Sequence, residues 1–287
     1  HILYKSYNTR YFNTKSPLTS LAYTMGPNKE QTLEAFHSQN INKYWNAGAR
    51  LYNISSEGIV TQQDVKANQF NGFSSFNSNR YDAYFSYTRN KFDYYENGGI
   101  VDDTYLIDSL ELSDDVDELN QIPIQLESAK TNILRKEYSL YHEYKLGEFK
   151  SYMIDDTLPT ELFRSTFSVA HYFDVYNYFR KYIDYEDSTD FYSDIFNNSK
   201  TFDSVYYRNR VHGFGLKLND IIFGEDVLNA GIFYQQRRET YAFFNKDTLF
   251  NNSMDTSIYS TELESFFCIL LRDQYQFNIK AKYILNG

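Results

Sequence analysis

Cysteine is almost missing from this chain: the single thiol, Cys268, excludes a disulfide framework and any multi-cysteine metal site, and reads as a small packed side chain. Long apolar runs are missing as well. The longest, Phe266 to Leu271, is six residues, against the ~20 that a spanning helix requires. A mean hydropathy of -0.60 likewise rules out a bundle of apolar helices. Basic residues are outnumbered, 28 Lys and Arg against 38 Asp and Glu, and the net charge of -10 argues against a nucleic-acid partner, which would demand a basic contact surface. Catalytic signatures are missing too. His37, His142, His171 and His212 are scattered with no HExxH or comparable ligand spacing, and neither a GxSxG motif nor a glycine-rich phosphate loop occurs. The adjacent acids Asp102 with Asp103 and Asp114 with Asp115 lack the alternate-position spacing of a Ca²⁺ loop and the fixed geometry of an acid/base pair, so they read as a solvated acidic loop. No catalytic residue, metal or cofactor is expected. His1 stands where an initiating Met would, and no signal peptide is visible, so a mature or incomplete chain is expected.

What is present is aromatic and alternating. Tyr occurs 29 times and Phe 24 times in 287 residues, with only four Pro, and the length suits one large β domain. The clearest unit runs from Gln31 to Ser55. Leu33, Ala35 and His37 alternate with Glu34, Phe36 and Ser38; the chain turns at Asn40 to Lys43; then Trp45, Ala47, Ala49 and Leu51 alternate with Asn46, Gly48, Arg50 and Tyr52. Two period-2 segments joined by a short polar turn make a β-hairpin. One face of its second strand is thinly apolar, while the other carries Arg50 and Asn46, which suit water better than a dry core. That pairing of faces predicts a membrane β-barrel hairpin, with lipid outside and a wet lumen inside; in such a barrel every second residue is polar, so a polar average does not exclude the membrane.

The same alternation predicts strands over 21–25, 66–76, 81–88, 135–144, 163–173, 211–218, 228–237, 267–271 and 277–285. Leu146-Gly147 is expected to close the 135–144 strand, with a connection to about Pro159. Three long excursions, Asp93 to Lys130, Asp174 to Asp203 and Thr240 to Ser257, contrast with short turns at 40–43, 77–79, 219–226 and 272–274. Leu110 and Leu119 flank the acidic run Glu111 to Glu118, where a short helix is expected. About eleven strands with alternating short and long connections fit an all-β, antiparallel, outer-membrane type of transmembrane barrel, with short periplasmic turns and long external loops. Residues 1–17 read as an irregular N-terminal lead and residues 18–287 as the barrel. Because an open edge in lipid would leave backbone groups unsatisfied and bacterial barrels have even strand numbers, an incomplete portion of a longer barrel is expected.

The stretches Tyr4 to Pro17, Tyr23 to Gly26, His37 to Lys43, Ser55 to Gly58 and Glu96 to Ile100 resemble the putative porin family of Bacteroidota outer membranes. The resemblance is concentrated in the first hundred residues; beyond them it rests on strand spacing. It implies an outer-membrane barrel more firmly than any particular solute, and family members are longer than this chain. Outer-membrane lipid and lipopolysaccharide, small hydrophilic solutes and partner outer-membrane proteins are the partners it implies.

Alternation assigns Glu34, Arg50, Arg80, Asp82, Arg135, Glu137, Arg164, Lys217, Arg237, Lys280 and Lys282 to the lumen or its rim, where mixed charges set the field of a pore. Ion-pair ladders that fill a narrow barrel would use the same residues. Trp45, Tyr81, Tyr144, Tyr234 and Tyr283 are candidate girdle residues at the headgroup level. The functional expectation is a bacterial outer-membrane, porin-like channel for passive diffusion of small hydrophilic solutes. The alternatives are a plugged or accessory barrel whose external loops bind a partner protein or polysaccharide, and a secreted β-protein that binds carbohydrate through its tyrosines.

Overall fold

The computed structural model describes residues 5–27, 29–102, 122–155, 158–185, 191–192, 200–223, 226–245, 254–271 and 275–286. They form one antiparallel sheet of eleven strands whose spatial order is the sequence order. The strands are β1 (Leu18–Met25), β2 (Gln31–Asn40), β3 (Trp45–Ser56), β4 (Val65–Asn77), β5 (Tyr81–Tyr95), β6 (Lys130–Asp155), β7 (Leu158–Asp184), β8 (Thr201–Phe223), β9 (Asp226–Asn245), β10 (Met254–Leu271) and β11 (Tyr275–Asn286). This all-β meander is consistent with a barrel wall. Among the described residues it is not closed: β1 pairs only with β2, and β11 only with β10. No helix of the described residues is long and apolar enough to cross a membrane.

The Gln31 to Ser55 hairpin has the expected register, with Ala35 opposite Leu51 and Phe36 opposite Arg50. The middle strands are far longer than alternation of apolar residues suggested. Leu146-Gly147 does not end a strand: β6 runs straight through it opposite a bulge whose extra residue is Thr166 of β7, after which Phe149 pairs with Phe163 and the ladder runs on towards Asp155 and Leu158. The reading of 174–203 as one excursion is corrected in the same way: β7 continues to Asp184 and β8 begins at Thr201. Strand also covers most of 219–226 and both flanks of 240–257. The physical cause is shared. In 174–184, Tyr, Asn, Lys, Arg and Asp occupy both faces, so period-2 geometry persists without an apolar face to betray it. The helix expected near Leu110 to Leu119 lies outside the described residues.

A strand of 27 residues is about 90 Å long, whereas 9–11 residues cross a bilayer, so β6 to β9 extend well beyond it. At the short-turn end, β5 stops pairing at Tyr81 opposite Tyr144, and β8 at Leu218 opposite Phe167. Residues 147–155 and 158–166 therefore pair only with each other and project as a two-stranded extension. Its base is held by the Arg80 guanidinium, 5.2 Å from the Phe163 ring centre, and by Arg164, which donates to the Asp220 carbonyl at 2.5 Å. Asp220 adopts a left-handed φ of 48° at the bulge that lets β8 continue past Leu218.

The dry core is small and sits at the long-loop end. There Phe92, Ile122, Leu126, Ala129 and Ile183 are buried together as residues 96–101 and 122–129 fold back onto the sheet. Asp184 ties this cap down, accepting from Ser128 Oγ at 2.6 Å and Tyr192 Oη at 2.9 Å. Burial and the neighbouring Tyr182 and Asp184 push the Tyr192 phenol above its ordinary pKa, so it stays a donor.

Candidate functional site: the inner face of the sheet

The two faces of the sheet differ in both chemistry and exposure. On one, here the outer face, large apolar side chains stand in the open on nearly every strand: Leu21, Leu51, Phe85, Leu216 and Phe277 are exposed, as are Phe214 at 58% and Ile279 at 63%. A soluble monomer seldom leaves so wide an apolar surface uncovered. On the other, inner face, polar side chains are buried instead. Ser86, Thr88 and Asn90 of β5 are all 0% exposed, and Asn46, Asn71, Ser75, Glu137, Glu143, Gln235 and Glu262 are also buried there. The Oγ atoms of Ser75 and Ser86, although buried, meet no protein partner.

Charged side chains on this inner face are joined in pairs, most of them from strand to strand. Arg50 of β3 meets Glu34 of β2 at 2.8 Å, and Lys145 of β6 meets Asp82 of β5 at 2.5 Å. Arg135 pairs with Glu137 on β6, its guanidinium 4.7 Å from the Tyr176 ring centre. Glu143 is held from three sides: Lys217 lies 2.7 Å away, Tyr141 donates at 2.5 Å, and Ser168 also donates to it. Farther on, Lys282 of β11 reaches Glu262 of β10 at 2.6 Å, with Arg237 of β9 at 3.8 Å from the same carboxylate. Gln235, which donates to Glu262, accepts from Tyr172 of β7. Pairing at this distance across strands helps to fix neighbouring strands in register.

Glu34, Arg50, Asp82, Arg135, Glu137, Lys217, Arg237, Lys280 and Lys282 thus share one face by register. Arg80 and Arg164 are at the short-turn rim, engaged by Phe163 and the Asp220 carbonyl. Glu143, Glu262 and Glu264 were not among the expected residues, although each completes an ion pair. Glu143 stands in the 135–144 alternation, where its spacing could have revealed it; the two others precede the point where the apolar run of β10 begins.

The N-terminal segment lies on this same face. After the 3-10 turn Ser6–Asn8, the Ser6 N–H donates to Glu137 at 2.6 Å, and Asn71 donates to Thr9 Oγ1 at 3.1 Å. Tyr11 meets the rings of Phe73 and Tyr84 edge-on, Phe12 packs beside Phe36 and Phe73, and Asn40 donates to Asn13 at 2.7 Å. Nothing in the periodicity of 5–14 signals this, since its anchors are a mixture of backbone, amide and ring contacts.

All five girdle candidates lie on the outer face. Trp45, Tyr234 and Tyr283 belong to one cross-strand row: Trp45, Phe76, Ala83, His142, His171, Phe214, Tyr234, Leu263, Tyr283. Tyr81 and Tyr144 form the pair next to it. The imidazoles of His142 and His171 are 3.0 Å apart within that row. Among the described residues no group of three or more His, Cys, Asp or Glu is arranged to hold a metal ion.

In comparison with known families, one family model, described as "Putative porin", matches residues 1–286. No curated protein matches the sequence significantly.

Proposed function

The chain belongs to the putative porin family, and on that premise we propose that it forms a water-filled channel in a bacterial outer membrane through which small hydrophilic solutes diffuse passively. Family membership and the all-β fold suggest an outer-membrane, channel-like protein without catalysis. The finer reading is carried by one observation: the exposed apolar face and the ion-paired polar face are opposite sides of the same sheet, as lipid on one side and water on the other demand. Lipid and lipopolysaccharide are then the partners of the outer face, and the solute that of the inner.

The aromatic row fits such a wall. Strands about 4.8 Å apart and tilted by about 40° raise a cross-strand row by about 3 Å per strand, or about 25 Å over eight steps, close to the height of the apolar band. Trp45, the first residue of β3, then marks the short-turn boundary, and Tyr283, eight residues into β11, the opposite one. The test is single-channel recording from the intact protein reconstituted in planar bilayers. Discrete ohmic steps are expected. A protein that inserts, migrates as a heat-modifiable barrel and conducts nothing refutes the channel and leaves an accessory barrel.

A further inference from the structure

We propose that the N-terminal strap, residues 5–15, is the selectivity element of this channel, narrowing the lumen along β2 to β6 and giving its constriction a positive field that favours small anionic solutes. The inference rests on the channel reading above. Four observations carry it. The strap holds Lys5, Arg10 and Lys15 and no acidic residue, in a chain whose net charge is -10. It is fastened to the inner face at separate points on β2, β4, β5 and β6, through Asn40, Asn71, Tyr84 and Glu137. The wall beneath it is already neutralised pairwise, Arg50 by Glu34 and Arg135 by Glu137, so the strap's own charges are the ones left for a solute. None of the ion pairs among the described residues includes Lys5, Arg10 or Lys15.

The fourth observation is the cavity between strap and wall. Its volume, ≈ 840 Å³, lies within the range that admits a small solute, and it is lined by Tyr7, Arg10, Phe12, Glu34, Arg50 and Phe73, among others. Glu34 and Arg50 cancel at 2.8 Å, which leaves Arg10 as the uncompensated charge in the lining. Rings from Tyr7, Phe12, Phe36 and Phe73 give the site low-dielectric walls, which concentrate the field of a guanidinium. A guanidinium with its donors free toward a wet cavity binds carboxylate and phosphate groups in a forked geometry.

The experiment is reversal-potential measurement on the intact protein in planar bilayers under a KCl gradient, with Arg10→Gln and Arg10→Glu beside the wild type. Wild-type channels should favour chloride, Arg10→Gln should reduce that preference, and Arg10→Glu should move the reversal potential to the potassium side. Removal of residues 1–15 should raise single-channel conductance and abolish the preference. Reversal potentials that stay at the wild-type value in both Arg10 variants overturn the proposal, while the channel reading survives. A wild-type protein that never conducts overturns the channel reading itself. The strap's seat is checked separately with the Thr9→Cys/Asn71→Cys pair on a Cys268→Ser background. Disulfide formation in the membrane-inserted protein is expected, and failure to form it in a folded barrel removes the strap from the lumen and the proposal with it.

Discussion

Tyr172 and Gly213 face each other directly across β7 and β8, and the phenol ring fills the space that a side chain on Gly213 would need. A Cβ there would stand 2.1 Å from two ring carbons. The relation repeats on the inner face with Gly48 under Phe73, Gly215 beside Phe233 and Gly231 beside Phe266, each glycine paired in register with its ring. Rings laid over glycines fill the inner face of the wall and lock adjacent strands against slippage.

Gly213→Ala should therefore destabilise the barrel by about 1–3 kcal/mol, the usual cost of overpacking. The thermal midpoint of the heat-modifiable band in gels reports it. Adding Tyr172→Ala removes the clash, so the double variant should be more stable than the sum of the single effects. Strict additivity would mean that ring and glycine do not meet.

Lys217→Met should cost more, about 3–5 kcal/mol, because it leaves the buried Glu143 carboxylate with hydroxyl donors but no cation. Urea unfolding in lipid vesicles measures the loss. Replacing both partners, Lys217→Met with Glu143→Leu, should recover most of it, since an apolar pair carries no uncompensated charge. No recovery would show that Glu143 matters through Tyr141 and Ser168 and not through Lys217.

On the opposite face the sign of a charge effect reveals the solvent. Leu216 is exposed on β8. If lipid covers it, Leu216→Arg should cost about 2–4 kcal/mol near the midplane and lower the yield of folded protein in vesicles. If water covers it, the substitution should be harmless and should improve solubility without detergent.

Arg50→Glu sets two carboxylates against each other on β2 and β3 and, in the proposed channel, makes the lumen more negative by two charges. Both a lower thermal midpoint and a reversal potential shifted toward cations are expected. The swap Arg50→Glu with Glu34→Arg restores the pair and the net charge, so stability and selectivity should both return towards wild type. A swap that restores stability but not selectivity would place the field of the pore in the position of Arg50 itself, not in the sum of charges.

Alternation exposed the hairpin from Gln31 to Ser55 and the β5 face of Asp82 to Thr88, because in both an apolar row stands against a polar one. It missed the upper half of β7, where Tyr176, Tyr178 and Tyr182 face inward and Phe179 and Lys181 outward, since no face there is uniformly apolar. It missed the bulge at Leu218 to Ile221, where a one-residue insertion shifts the period and mimics a turn, and it took Leu146-Gly147, which lies opposite the bulged Thr166 of β7, for a strand end.

The sequence alone determined the class of fold and the sharing of Arg50, Glu137, Lys217 and Lys282 by one face, because the pleat has a period of two and needs no knowledge of neighbours. Only the tertiary structure decided which charges cancel. Lys217 and Glu143 are 74 residues apart in sequence, and Ser6 and Glu137 are 131 apart, so their meeting depends on strand register and on how the N-terminal strap lies across the wall. Period fixes which side a residue faces; only pairing across strands fixes what it faces there.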